Sequence, residues 1–180
     1  MKIKIDAFDT GTIQMAKKQL QKFKKKIQNI NTLFIKNSLE WIKNRANEYL
    51  DERVYAYPNS ANIKASWDIQ QVKAEIGGEI CFQLINTNDK ATYVEFGTGI
   101  VGMFDAHPIA SEVNYEYDKN HHGLQGWDFK FFYNGNLISY EHFTGYEGKH
   151  YLYDAYFDYF HKKEYIRIYE QVSKKFIENL

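Results

Sequence analysis

Ser66-Trp67-Asp68-Ile69-Gln70-Gln71-Val72-Lys73-Ala74-Glu75-Ile76-Gly77-Gly78-Glu79-Ile80-Cys81-Phe82-Gln83-Leu84-Ile85 is the stretch on which the fold class turns. Ile80, Phe82 and Leu84 alternate with more polar neighbours, the period of a strand with one buried face. Gly77-Gly78 suits a tight two-residue turn, where positive φ is needed. The stretch predicts a β-hairpin with strands over Ser66–Ile76 and Glu79–Ile85.

Upstream of the hairpin the period changes. Leu20, Phe23, Ile27, Ile30 and Phe34 recur at steps of three and four, and Leu39, Ile42, Ala46 and Tyr49 continue the stripe. This is one apolar face of an amphipathic helix over about Gly11 to Leu50, with Lys17, Lys18, Lys22 and Lys25 off it. No Gly or Pro lies between Thr12 and Tyr57. Tyr57-Pro58-Asn59-Ser60 ends the helix, because Pro cannot continue its hydrogen-bond ladder. About forty residues of helix run roughly 60 Å, longer than a compact domain of this size needs. The helix therefore either breaks near Asn29–Asn31 or projects from the body.

Downstream, Thr92–Phe96 is strand-like, and Gly97–Gly126 reads as a loop rich in Gly, Asn and His. Loops of that length are usually functional or mobile. A second hairpin is expected at Trp127–Tyr133 and Leu137–Tyr140, joined through Asn134-Gly135, a strong turn signal. Leu152, Ala155, Tyr159, Ile166, Tyr169, Val172 and Phe176 form a stripe with one gap, predicting a helix over Tyr151–Asn179. The order of elements predicts an α+β fold, with a long N-terminal helix and a C-terminal helix packed on an antiparallel β-sheet built from hairpins. Residues 1–180 are expected to form one domain: a helical part over 1–57, a β part over 62–148 that holds the long loop 97–126, and the C-terminal helix over 149–180.

Composition narrows the function classes. A chain of 180 residues can bury roughly 70% of its unfolded surface and needs no covalent staples. Lys+Arg and Asp+Glu number 23 each, a balance that argues against bulk nucleic-acid binding or membrane attachment as the main task. Cys81 is the only cysteine, so no internal disulfide forms, as in a reducing compartment. No apolar run approaches the roughly 20 residues that span a bilayer, and Met1–Asp6 has no apolar segment of the kind that drives export. The 15 tyrosines serve either a Tyr-rich core or an interface, where Tyr is enriched.

The candidate chemical motifs are thin. Gly97-Thr98-Gly99-Ile100-Val101-Gly102 has the spacing of a dinucleotide-binding loop, but that mechanism requires a following helix and a surrounding β-α-β unit, and no helical period follows. The six histidines, His107, His121, His122, His142, His150 and His161, have no H-x-x-x-H or C-x-x-C spacing of a metal site. Cys81 lies mid-strand, where a lone Cys is a small apolar residue. Ser66 and Ser111 lack the strand-turn-helix frame of a nucleophile. Neither enzymatic activity nor a cofactor or metal is expected. Lys22-Phe23-Lys24-Lys25-Lys26 is a basic run: a solvated helix face, or a surface toward DNA or an acidic partner ring.

Lys90-Ala91-Thr92-Tyr93-Val94-Glu95-Phe96-Gly97-Thr98-Gly99 resembles the signature of the head–tail connector and tail-completion proteins of long-tailed bacteriophages, whose members show an A-x-Y-V-E-F-G-T stretch after a β-hairpin. Asn62-Ile63-Lys64-Ala65-Ser66-Trp67 is similar to the family's G-x-L-x-x-S-W strand start, with Asn62 where Gly is common. His122-Gly123-Leu124-Gln125-Gly126-Trp127 and Lys149-His150-Tyr151-Leu152-Tyr153-Asp154-Ala155 resemble its later G-W strand and P-F-M/L-x-x-A helix start, with His150 in place of the proline. The resemblance implies a structural virion protein without catalysis, forming a ring in the neck that joins tail to head. The implied partners are further copies of itself, a portal-side connector protein, a tail-tube or tail-terminator protein, and DNA passing through the channel; no membrane is implied. Such a protein would reside in the virion and, during assembly, in the host cytoplasm, with the free chain monomeric or weakly associated. The motif residues are Ala91, Tyr93, Val94, Glu95, Phe96, Gly97 and Thr98. Within the motif Tyr93 and Phe96 are expected to pack, and Glu95 either pairs with a base or is exposed. The long loop, with Phe104, His107, Tyr115, Tyr117, His121 and His122, is the expected interface segment. The runner-up is a DNA-contacting assembly protein that uses the basic N-terminal helix.

Overall fold

The N-terminal stripe winds into one unbroken helix, α1, over Thr10–Arg53. The computed structural model describes residues 10–54, 60–73, 80–133 and 135–177. The break allowed for near Asn29–Asn31 is not there; both side chains are exposed, where Asn costs a helix only its modest intrinsic penalty. The other alternative holds. Between the buried Ala16 and the half-buried Ile30, thirteen successive positions, 17–29, are exposed on every side of the helix. The packed part of α1 begins at Ile30 and Phe34 and runs through Ile42, Ala46 and Leu50.

That half of α1 is covered by the C-terminal residues. The single helix expected over Tyr151–Asn179 is two helices, α5 (Tyr151–His161) and α6 (Glu164–Ile177); Glu178 to Leu180 lie outside the described residues. Lys163 breaks it in the left-handed region, φ +57°. The break shifts the helical phase, so α6 turns Ile168 and Val172 inward and leaves Ile166 and Tyr169 about half exposed. α5 runs antiparallel to α1: Arg53 meets Asp154, Arg45 and Tyr49 meet Asp158, and the Tyr159 hydroxyl donates to Ser38 Oγ at 2.7 Å.

Among the described residues the antiparallel β structure expected from hairpins consists of three two-stranded pairs. Strands β1 (Trp67–Lys73) and β2 (Ile80–Asn86) form the first hairpin, following the short helix α2 (Ser60–Ala65). Its Gly77-Gly78 turn and the end of α1 at Tyr57-Pro58 lie outside the described residues. Trp67 and Leu84 pack on the core, and Trp67 Nε1 donates to Asn47 of α1 at 2.8 Å. The second hairpin, β4 (Trp127–Tyr133) and β5 (Asn136–Phe143), pairs Tyr133 with Asn136; Asn134 of the expected Asn134-Gly135 turn lies outside the described residues.

Two expectations between the hairpins are corrected. Thr92–Phe96 is not a strand: Ala91–Phe96 is a helix, α3. Its aromatic and β-branched residues favour a strand intrinsically, but Ala91, Val94 and Glu95, at helical spacing, are the buried ones, and burial overrides propensity. Asn88 makes the turn ahead of the helix, its side chain accepting the Lys90 N–H and its carbonyl the Ala91 N–H, both at 2.9 Å. Nor is Gly97–Gly126 loop from its first residue: the two-residue strand β3 (Gly97–Thr98) and the short helix α4 (Gly99–Phe104) lie within it, α4 beginning inside the glycine motif and ending two residues past it. β3 pairs with β6 (Gly145–Glu147), which the sequence reading did not include. The long loop is itself closed by local bonds: Ala110 is buried, Gly99 N–H bonds the Tyr117 carbonyl at 2.6 Å, and Asp118 accepts from His122 and Gly123.

Candidate functional site

The motif segment, the long loop and the start of α5 meet at one buried point. α3 ends at Phe96, and its last carbonyls accept bonds from the chain that enters α5: Lys149 N–H to Val94 O at 2.8 Å and His150 N–H to Glu95 O at 3.1 Å. Glu95 returns the favour. Its carboxylate sits on the N-terminus of α5, accepting Leu152 N–H through Oε2 and Tyr153 N–H through Oε1, both at 2.8 Å. A helix start leaves such N–H groups without intrahelical partners and carries a partial positive charge, so a carboxylate there is doubly favoured.

The third partner of Glu95 comes from the loop. His107 Nε2 lies 2.9 Å from Glu95 Oε1. The Ile109 N–H points at His107 Nδ1 from 3.3 Å, which assigns the ring proton to Nε2 and makes His107 a donor to the carboxylate. Phe96, His150 and Tyr153 surround the imidazole, with centroids at 4.2, 4.6 and 5.1 Å. The His107 and Glu95 side chains are 1% and 8% exposed. Burial, together with the neighbouring His107, holds the His150 imidazole below the usual histidine range. The pair joins three chain segments: the motif helix, the long loop and the start of α5.

Tyrosines tie the loop to the same point. The Tyr117 hydroxyl accepts the His107 N–H at 2.6 Å, and the Tyr115 hydroxyl donates to the Gly97 carbonyl at 2.8 Å while its ring stacks on Phe96. Loss of solvent, reinforced by nearby Tyr93 and Tyr117, pushes the Tyr115 hydroxyl up to about 12. The glycine motif is explained by the same packing. Gly97 and Gly99 have φ of +85° and +63°, and a Cβ on either would meet the backbone of residues 144–148 at 2.6 Å or less. These glycines admit a crossing chain segment, and among the described residues the strands pair only antiparallel, not in the parallel β-α-β frame of a dinucleotide site.

The candidate residues therefore divide. Ala91, Val94, Glu95 and Gly97 are buried, Phe96 and Thr98 half-buried, and Tyr93 exposed. Of the interface-loop residues, His107 is buried and Tyr115, Tyr117 and His122 are half-buried; only Phe104 and His121 are exposed. Four of these six candidates are therefore wholly or partly covered by the body.

The open site lies beside this node, and the sequence reading did not single it out. A cleft of about 790 Å³ runs between the β4–β5 hairpin and the motif helix. Its wall is aromatic: Trp127, Phe129, Phe131, Tyr140 and Phe143, faced by Tyr93. Glu116, Asp118, Lys90 and Lys149 are among its polar lining. Alternation in Trp127-Asp128-Phe129-Lys130-Phe131 was the available signal, since positions two apart share one face of a strand. Among the described residues no group of three or more His, Cys, Asp or Glu could hold a metal, and no helix is long and apolar enough to cross a membrane. No family model, curated protein or solved structure matches the chain.

Proposed function

We propose that this chain is a structural, non-catalytic component of a tailed bacteriophage particle, a subunit of the neck ring that joins tail to head. The observation that carries the reading is the pair of large uncovered surfaces on a firmly tied body: the bare helix 17–29 and the aromatic cleft. Exposed apolar surface of this kind marks contact sites, and a subunit seated between two rings needs several. The motif resemblance supplies the particle. The Glu95–His107 node supports the reading by giving the motif a structural task.

A second reading, DNA contact along the channel, draws on the six lysines within residues 17–29, where no acidic residue occurs. Deleting the gene from the phage that encodes the chain tests the first reading. Full heads and finished tails should accumulate unjoined, with joining restored when purified protein is added to the lysate. Normal yields of infectious particles without the gene would overturn it.

A further inference from the structure

A row of apolar residues on α1 keeps one spacing from Ile13 to Phe34. Ile13, Ala16, Leu20, Phe23, Ile27, Ile30 and Phe34 follow one another at alternating steps of three and four. That is the heptad spacing of helices that pack lengthwise against another helix. The last two members lie in the packed part of α1, where Phe34 meets Tyr169 of α6 edge to face, with 5.5 Å between ring centroids. The fold itself thus covers the end of the row with a helix. Further out the same row continues bare: Leu20, Phe23 and Ile27 are 54%, 51% and 42% exposed.

The charges beside the bare part have one sign. Leu20, Phe23 and Ile27 are the only apolar residues of the stretch 17–29. By the heptad, Lys17 and Lys24 stand on one edge of the row and Lys26 on the other, the positions where charge selects a partner helix. Lys18, Lys22 and Lys25 fall on the far side of the helix. Residues 10–39 hold seven lysines and no acidic residue, so nothing within this stretch balances those edges.

We infer that residues 17–29 are the docking surface for an acidic amphipathic helix of a partner protein, one with its own heptad row of apolar residues and Asp or Glu at the edges. It would lie along α1 on the stretch that α6 leaves uncovered. The spacing calls for a helix, and the lysines call for acid. Three other occupants fit less well. The same stretch of a second copy would bring six more lysines and no acid. The acids of α5, Asp154 and Asp158, are already paired with Arg53 and Arg45, and α6 holds two acids against three bases. Nucleic acid would use the lysines and leave the apolar row wet. A membrane surface takes helices with a broad apolar face, whereas here lysines stand at both edges of a narrow seam. The inference deepens the neck reading, from which it takes a neighbouring protein as the partner, but the contact is testable on the free chain.

The test titrates the full chain with fluorescent synthetic peptides of about three heptads. One has Leu in the apolar row and Glu at both edges. A second has the same Leu row with Lys at the edges, and a third scrambles the first. The Glu-edged peptide should bind about tenfold or more tightly than either of the others and become helical as it binds. Its affinity should fall about tenfold or more from low to high salt. Phe23→Ser with Ile27→Ser should abolish binding. Lys17→Glu, Lys24→Glu and Lys26→Glu together should turn the preference toward the Lys-edged peptide. Lys18→Glu, Lys22→Glu and Lys25→Glu together, the same change of charge off the edges, should cost far less. All eight positions are exposed, so the fold tolerates these changes. Equal binding of the ordered and scrambled peptides, equal losses in the two triple variants, or no binding of any peptide would overturn the inference. So would self-association of the chain that Phe23→Ser with Ile27→Ser removes. Tighter binding of duplex DNA, or of vesicles of phosphatidylglycerol and phosphatidylcholine, than of the Glu-edged peptide would overturn it as well. The neck reading fails separately, by the particle yields above.

Discussion

At the scale of single residues, two left-handed glycines of the motif, Gly97 and Gly99, admit a crossing chain segment. Gly97 combines φ +85° with a virtual Cβ only 2.5 Å from the Gly148 nitrogen, whereas Gly123, at φ +60°, has nothing within 4 Å. Left-handed backbone costs a side chain about 1 kcal/mol at either position. Gly97→Ala must in addition displace backbone, so it should lower the melting temperature clearly more than Gly123→Ala. Equal melting of the two variants would remove the crossing-segment explanation. His150, at φ +47°, starts α5 with its ring partly buried against His107. Its pKa is depressed in the folded state, so the unfolded chain binds the proton more readily. The sign follows from linkage: stability is lost as pH falls below the ordinary histidine range, near 6.5. His150→Asn, which tolerates the left-handed backbone, should remove that part of the acid sensitivity while leaving stability at neutral pH nearly unchanged. Melting curves of both proteins between neutral and mildly acidic pH will decide.

At the scale of elements, the seam between α1 and α5 is where polar and apolar contacts coincide. Asp158 accepts from Arg45 Nε at 3.0 Å, the Tyr49 hydroxyl at 2.9 Å and Lys162 Nζ at 2.7 Å. Burial pushes its carboxyl up, but the hydrogen bonds from Lys162, Tyr49 and Arg45 outweigh that and hold it below the usual range. A depressed carboxyl contributes stability above the ordinary aspartate range and loses it as pH falls through the folded value. Asp158→Asn should therefore cost about 1–2 kcal/mol at neutral pH and no longer differ from the parent in strong acid. Urea unfolding at the two pH values measures both. A constant difference across pH would mean that packing, not charge, makes the seam.

At the scale of the whole molecule, the long loop changes its role. Read from sequence, residues 104–120 look dispensable for folding, and replacing Phe104–Asn120 by a short Gly linker should leave the core intact. The structure reverses that expectation. The deletion removes His107 from Glu95, Tyr115 from Phe96 and the Gly97 carbonyl, and Tyr117 from Gly99. Leaving the Glu95 carboxylate with one donor fewer and two tyrosine contacts gone should destabilise the body by several kcal/mol. Circular dichroism and hydrogen exchange should show loss of protection in α3 and at the start of α5, not only in the linker.

The elements that answer to local periodicity or a local turn signal were legible in the sequence: α1 from its three-and-four stripe, the strands of the first hairpin from alternation, and the second hairpin from Asn134-Gly135 between its strands. These are properties of a few neighbouring residues and their own backbone. What only the tertiary structure decided depends on distant segments meeting. Val94 and Glu95 were buried by α5, which made a helix of a strand-like stretch. Lys163 broke the last helix so that two pieces could both follow α1, and the β structure split into three pairs. Glu95 became the cap of a helix more than fifty residues downstream, and His107 became its donor, neither of which leaves a trace in spacing. The cleft exists only because the aromatic face of one hairpin was left opposite the motif helix, and residues 17–29 are bare only because α1 outruns the body that covers it.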